Sequence, residues 1–531
     1  MSKYQSLQKC LHWMAHGFGV RGHVRALVRR DMSRRWKAVT CHRTPNSDCV
    51  GSNYFSNGSY LLPVIALFVL VLAGCTLAPK YHRPTAAISP TWPEVPGQPK
   101  GATNAIPAAD IGWREFFRDP RLQQLIELAL TNNPDLRVAM LNVEQTRELY
   151  RVQRNALIPT VDVNYNSSRQ RIAYGFAGNG QGATYNQFNV NLGVAQYELD
   201  LFGRVRSLKT QALETYFATE EAQKSAQITL VAEVSAAYLT ERELAEQLAL
   251  ARQSLRAARN VYDLTKSSYE GGVLSRLDLN AADIQMQTAR ANMAGYEQQL
   301  GQADNYLVLL VGHPLSDDLP APQPFNPQIC LSDLPAGLPS DLLQRRPDIL
   351  EAEHQLKAAS ANIGAARAAF FPTITLTGSA GYSSTSLQNL FAPGSQAWNF
   401  SPQVVWPIFA AGTAWAELKA AQAGRLMEVA NYQKAIQTAF REVADSLVAR
   451  DTVKTQLAAN QALVRAERQN YELTQARFRT GVDSSLNVLV AQQALDNARQ
   501  NLIQSQYSRL FNLINLYQAL GGGWQEYSPQ P

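Results

Sequence analysis

The sequence predicts a mainly α-helical protein with a membrane β part, laid out as two copies of one plan. Three observations carry this. The chain repeats itself at long offset. Each copy holds a Pro-free stretch long enough for a helix of about 100 Å at 1.5 Å per residue. Each copy also holds a pair of period-two segments of transmembrane-strand length. Asn133-Pro134-Asp135-Leu136 matches Arg346-Pro347-Asp348-Ile349 at an offset of 213, as Arg154–Thr160 matches Arg367–Thr373. Further on the offset is 209: Glu233-Val234 with Glu442-Val443, Gly272-Val273 with Gly481-Val482, Gly312 with Gly521. A period of that length is a duplication rather than a short-repeat solenoid.

The first element in chain order is a leader, residues 1–74. Residues 61–73 form an apolar run of signal-peptide length, too short to span a bilayer as a permanent helix. It ends in Leu72-Ala73-Gly74-Cys75, which resembles a bacterial lipobox, and the Pro-rich stretch after it cannot continue a helix. The resemblance implies a diacylglycerol on the Cys75 sulfur and an N-acyl chain after cleavage, with Thr76 favouring sorting to the outer membrane. Multiple acyl chains make such an anchor durable. Signal peptides run about 15–30 residues, so a leader this long predicts a translation start downstream of Met1. A lipid-anchored segment, 75–112, follows.

The first repeat is read at 113–312, with a β-hairpin near 158–200. Val161, Val163 and Tyr165 alternate with polar residues, as do Phe188, Val190, Leu192 and Val194. Gly175–Gly182 joins them as a turn; no strand–helix pair embraces it as a nucleotide loop would require. A helix is then expected from about 204 to 270, because no Pro falls between 160 and 313 and a helix interior rejects Pro at about 3 kcal/mol. Its seam (Leu230, Val234, Ala237, Glu241, Leu244, Leu248, Ala251, Leu255, Ala258, Tyr262) alternates steps of four and three, as coiled-coil packing demands. Glu241 alone interrupts it. A Pro-rich linker, 313–337, leads to the second repeat, 338–522, with a hairpin near 371–408 and a tail at 523–531. Here the strands are read at 373–382 and 398–406, and the long helix at 413–480, with a more polar seam through Arg450, Asn460 and Glu467. Four strands cannot close a barrel, and an open edge in lipid leaves backbone groups unpaired at several kcal/mol each, so a ring of copies is expected.

Charge and composition narrow the function. Of 531 residues, 49 are Lys/Arg and 43 Asp/Glu, for a net +6. The first 74 residues hold ten of those bases and two of the acids, leaving the remainder near −2. A nucleic-acid reading would rest on the leader alone. Beyond it only Cys75 and Cys330 remain, so no intrachain disulfide and no zinc cluster is expected. His82, His313 and His354 lack metal spacing, and no nucleophile motif appears. An enzyme and a cofactor are therefore not expected. Met140, Met286, Met293 and Met427 form no thioether cluster, which disfavours a dedicated copper or silver path.

Several stretches carry a family resemblance: Leu338–Ile349 (LPSDLLQRRPDI), Trp113-Arg114-Glu115-Phe116-Phe117, Leu199–Gly203 and Leu516–Trp524. Through them the chain resembles the TolC-like outer-membrane factors of tripartite efflux systems, in the OprM-type, NodT-like lipoprotein branch, over nearly all of 75–527. The resemblance implies a homotrimer with one 12-stranded barrel and a hollow periplasmic α-barrel, 313–347 lying at its equator. It also implies a passive exit duct opened by a periplasmic adaptor (a membrane fusion protein) and an inner-membrane transporter of the resistance-nodulation-division class. Export of metal ions or of proteins by a type I system is the alternative.

Two glycine turns then acquire a role. By themselves Tyr269–Ser275 and Phe478–Ser484 read as helix–turn–helix loops, glycine serving where a helix end needs positive φ. The resemblance makes them the periplasmic tip, with Gly271, Gly272, Val273, Ser275, Thr480, Gly481, Val482 and Ser484 as adaptor contacts. It places Asp278, Asp483, Asn487 and Val490 at the gate. Relatives often carry Asp where this chain has Asn487 and Val490, and TolC has a basic partner where it has Asp483. The expectation is repulsion between Asp278 and position 483, and a closed state held by apolar and polar packing rather than ion pairs.

Overall fold

The computed structural model describes residues 76–85, 107–172, 183–316, 318–323, 325, 327–331, 334, 339–410 and 412–528. All lie in the second of two compact units, Leu67–Pro531. The leader, Cys75 and the loop 175–182 lie outside the described residues.

Ahead of its hairpin each repeat carries proline-started helices. Helix α1, Pro120–Asn132, is capped by Asp119, which accepts from the Arg121 amide at 2.9 Å. Helix α2, Pro134–Asn155, is capped by Asn133, which accepts from the Leu136 amide at 2.9 Å. Proline suits the first helical position because its missing N–H would be unpaired there anyway. After the hairpin β1 (Asp162–Ile172) and β2 (Ala183–Leu199) come α3, Arg204–Glu270, and α4, Arg276–Val311. The second repeat runs α5 (Pro347–Ala368), β3 (Thr373–Ser384), β4 (Gln396–Val405), α6 (Thr413–Arg479) and α7 (Ser485–Ala519). Helices α3 and α6 each have 67 residues, or about 100 Å at 1.5 Å per residue.

The duplication extends to individual bonds. Asn133 donates its side-chain N–H to the Leu310 carbonyl at 2.9 Å, tying the start of α2 to the end of α4. At the equivalent place in the second repeat Arg346 donates to the Ala519 carbonyl at 2.9 Å, tying the start of α5 to the end of α7. Arg346 also binds Asp348 at 2.8 Å and Glu442 at 2.6 Å. A buried guanidinium with two carboxylates and a carbonyl is satisfied on several sides, which such burial requires.

The heptad seam of α3 is buried at Leu230, Val234, Ala237, Leu244, Leu248, Ala251 and Ala258. Glu241 sits half-buried in it with Arg242 at 3.6 Å, and desolvation raises its carboxyl above the ordinary range. In α6 the seam holds Ala439, Val443, Ser446, Leu457 and Val464 buried. Of its three polar interruptions, Asn460 is absorbed by a bond: it donates to Ser505 of α7 at 2.5 Å. Helix α3 packs on α2, α4, α5 and α7, and α6 packs on α5 and α7, so the two repeats interlock. The main core gathers Trp113, Phe116, Phe117, Leu122, Tyr238, Ile349, Tyr432 and Tyr517, with Phe116 stacked on Tyr517 at 4.0 Å. Cys330 is buried in it beside Phe117, and burial pushes its thiol up to about 12.

The sheet is four antiparallel strands in the order β1-β2-β3-β4. The strands outrun the sequence reading, β1 and β2 most. Strand β1 continues through Ser167, Ser168, Arg169, Gln170 and Arg171, where no apolar alternation marks it. Strand β2 begins at Ala183 and continues past Val194, where a bulge with Gln196 at φ 57° shifts the register before Tyr197. A bulge slips the alternation by one, so a period-two pattern stops there. Pro159 matches Pro372 and Gly203 matches Gly412, so the four-residue difference between the two offsets falls inside the first hairpin.

Candidate functional site

Two regions carry surfaces that a packed core does not explain: the sheet and the pair of helical turns. The register sorts the sheet residues into two faces. Val163 pairs with Leu192 and Tyr165 with Val190. Leu192 pairs with Ala380, Ala380 with Trp398, Gly378 with Phe400 and Ile374 with Val404. That face is apolar, and Val163, Leu192, Trp398, Phe400 and Val404 are all exposed. The opposite face carries Asn164, Asn166, Asn189, Asn191, Thr375, Thr377, Asn399, Ser401 and Gln403, amides and hydroxyls, with Asp162 and Glu198 at its helix-side end.

Aromatic residues mark both ends of the apolar band. Near the helices Trp406 donates its indole N–H to the Phe370 carbonyl at 3.3 Å, Phe370 meets Trp415 edge-on at 5.4 Å, and Phe202 stacks on Phe371 at 4.7 Å. Ile408 and Phe409 project almost fully exposed just beyond β4. At the far end Tyr382 meets Phe391 at 5.3 Å. An apolar band flanked by aromatic girdles, with a polar reverse face, is the pattern of a membrane β-barrel wall. Among the described residues no helix is long and apolar enough to cross a membrane. Among the described residues both edges of the sheet, β1 and β4, are unpaired.

The helical turns lie at the far ends of the long helices. In the first, Gly271 donates to the Ser267 carbonyl at 3.0 Å and Gly272 takes φ +76°. Ser275 caps α4: its hydroxyl accepts from the Asp278 amide at 3.3 Å while its own amide donates to the Asp278 carboxylate at 3.1 Å, a reciprocal capping box. The Ser275 hydroxyl also donates to the Asp278 carboxylate at 2.6 Å, and this bond, with that from the Ser275 amide, holds the carboxyl below the ordinary aspartate range. In the second turn Thr480 ends α6, Gly481 takes φ +74° and Ser484 caps α7 by accepting from the Asn487 amide at 3.4 Å. Asp483 binds Arg477 at 2.7 Å and accepts from the Asn487 side chain at 3.0 Å, which likewise holds its carboxyl low.

Within the chain each carboxylate has its own donors: Ser275 serves Asp278, and Arg477 and Asn487 serve Asp483. Asp278 reaches the other turn through Ser485, whose hydroxyl donates to it at 3.4 Å. Arg477 and Ser485 were not among the residues singled out by sequence. A cation in the last turn of a helix, where the backbone carbonyls favour it, six residues before an acid, is the signal that could have found the first. Val490 lies further along α7, exposed and outside this network. Val273 and Leu277 are exposed on the first turn, and their duplicates Val482 and Leu486 on the second.

Comparison with known proteins agrees with this geometry. The family model described as outer membrane efflux protein matches residues 125–313 and 338–522. The toluene efflux pump outer membrane protein TtgC of Pseudomonas putida is 46% identical over 466 residues, covering 88% of this chain and 96% of that protein. Outer membrane protein OprJ of Pseudomonas aeruginosa is 41% identical over 463 residues, covering 87% and 95%. The open-state crystal structure of the Neisseria gonorrhoeae MtrE outer membrane channel superposes with a TM-score of 0.78 at 39% identity, covering 86% of this chain and all of that one. The chain therefore belongs to the outer membrane efflux protein family and is the TolC-like outer-membrane channel component of an efflux pump.

Proposed function

We propose that three copies close one 12-stranded barrel and form a passive exit duct for small apolar molecules, solvents and drugs among them. The observation that carries this is the two-faced open sheet. Four strands with two free edges cannot sit in lipid alone, and their polar face of amides and hydroxyls suits the wall of a water-filled passage. The chemistry of the cargo is carried over from relatives named for toluene efflux. Energy enters from an inner-membrane transporter of the resistance-nodulation-division class, coupled through a periplasmic adaptor. The adaptor docks on the helical turns, where the duplicated pairs Val273/Leu277 and Val482/Leu486 offer exposed apolar contacts flanked by glycine. Asp278, Asp483, Asn487 and Val490 line the constriction there.

Cys75 carries the lipid anchor in this reading. What supports it is the course of the segment that follows. Leu77 offers its carbonyl to Arg367 at 2.9 Å, and Ala78 lies against Gly364. Tyr81 donates to Glu353 at 3.2 Å, and Arg83 pairs with the same carboxylate. Thr76–Thr85 is thus strapped along α5, its N-terminal end toward Thr373, where the membrane strand β3 begins. An acyl chain on Cys75 would start beside the membrane.

The test is to extract the protein in mild detergent and determine its mass, together with incorporation of labelled palmitate. The expected result is a trimer that loses label, but not assembly, in Cys75→Ala. Monomers throughout, or label retained in Cys75→Ala, would overturn the corresponding part.

A further inference from the structure

The outer end of the sheet carries a charge pattern that conduction does not use. Arg169 and Arg171 of β1 share the face of Val163 and Tyr165, the apolar face, because side chains alternate along a strand. Their cross-strand partners are Asn186 and Thr184. One row below, Ser167 pairs with Phe188, and Phe188 with Ser384, where the apolar band ends. Rows on one face are about 7 Å apart, two residues of strand rise, so the two guanidinium groups stand in the first two rows above the band. Both are exposed.

No carboxylate answers them. Between Asp162 and Glu198 the sequence has no Asp or Glu, and 373–416 has no charged residue at all. Arg169 and Arg171 are therefore the only charges of the two hairpins above their helix-side base, and both are positive. The helices leave the sheet at its opposite end, into the periplasm, so this end lies at the outer leaflet. Two uncompensated cations directly above an apolar wall cost nothing in water, but they also fit one kind of neighbour: a lipid with phosphate at its head. Guanidinium binds phosphate through paired, fixed N–H donors that an ammonium lacks. Below them on the same face, Leu192, Val194, Leu376, Ala380, Trp398 and Phe400 line an apolar trough of about 660 Å³, open to the side where acyl chains would lie.

We propose that Arg169 and Arg171 of each copy bind the phosphate of an outer-leaflet glycolipid, whose acyl chains pack along the apolar face of the sheet. This gives the barrel a specific lipid contact rather than a general annulus. The site lies on the face away from the passage, so it acts on stability and seating in the membrane and not on cargo.

The test uses the full-length assembled protein in mild detergent, with lipid binding followed by native mass spectrometry. The probes are bisphosphorylated lipid A, its fully dephosphorylated form and phosphatidylglycerol. The expected order is lipid A at least tenfold tighter than either of the others. In Arg169→Gln/Arg171→Gln the preference collapses, and in Arg169→Lys/Arg171→Lys it is partly kept. Lipid A and its dephosphorylated form binding the wild type equally would overturn the proposal, a comparison that needs no variant to fold. Phosphatidylglycerol binding as tightly as lipid A would also overturn it, in favour of general attraction for anionic lipid. So would a double Gln variant that assembles on gel filtration and keeps the full preference.

Discussion

In the first helical turn Gly272 donates to the Tyr269 carbonyl at 2.9 Å and Val273 to Ser268 at 2.9 Å. In the second, Gly481 donates to Phe478 at 3.0 Å and Val482 to Arg477 at 2.9 Å. The side chains on this shared backbone differ. Where the second turn has the ion pair Arg477–Asp483, the first has Ser268 and Leu274; where the first has the capping acid Asp278, the second has Asn487. Duplication preserved the bend and redistributed the charge. One turn is locked within three residues at a helix start, the other across the loop by opposite charges. The hydrogen bond from Ser485 to Asp278 joins the two without being part of either lock. A contact of that kind can break and re-form while both turns stay intact.

The largest expected effect is common to the turns. Gly272→Val and Gly481→Val each force a branched side chain to positive φ, costing about 1–2 kcal/mol. Hydrogen exchange of the turn amides should rise by a similar factor in both; a rise in one alone would contradict the shared geometry. Next, Ser275→Ala removes the cap of α4, a loss of about 1 kcal/mol. Exchange at the start of α4 should quicken while the second turn is unmoved. Smaller again is Arg477→Gln, which frees Asp483 and should loosen the second turn only. High salt should reproduce it there, since exposed pairs are screened, and leave the capping box alone.

The smallest effect is on pH. Both carboxyls are held below the ordinary aspartate range, so the protection they give is complete above that range. It is lost as pH falls through their lowered values. Both turns should therefore loosen only in strong acid, and a loosening near neutral pH would contradict these assignments.

Much of the fold was legible because its signals are periodic. The seam of α3 and the Pro-free stretches predicted the long helices, and the alternation at Val161–Tyr165 and Thr373–Tyr382 predicted strands. The signal failed where the period breaks. Ser167–Arg171 carries no apolar alternation because that part of β1 rises above the apolar band, and β2 changes phase at its bulge. At the tip, the glycines were legible because helix ends need them. Arg477–Asp483 was not, because a pair across a loop has no periodic signature and depends on where the turn points the two side chains.

Single-channel recording in planar bilayers tests the proposed duct and its closure at the helical turns. The purified wild-type assembly should insert and pass small currents. Asp278→Asn combined with Ser485→Ala, which severs the contact between the turns, should pass severalfold larger currents, with Val490→Asp adding block by divalent cations. No conductance from either form would rule out the duct, and equal conductance from both would rule out closure through this contact.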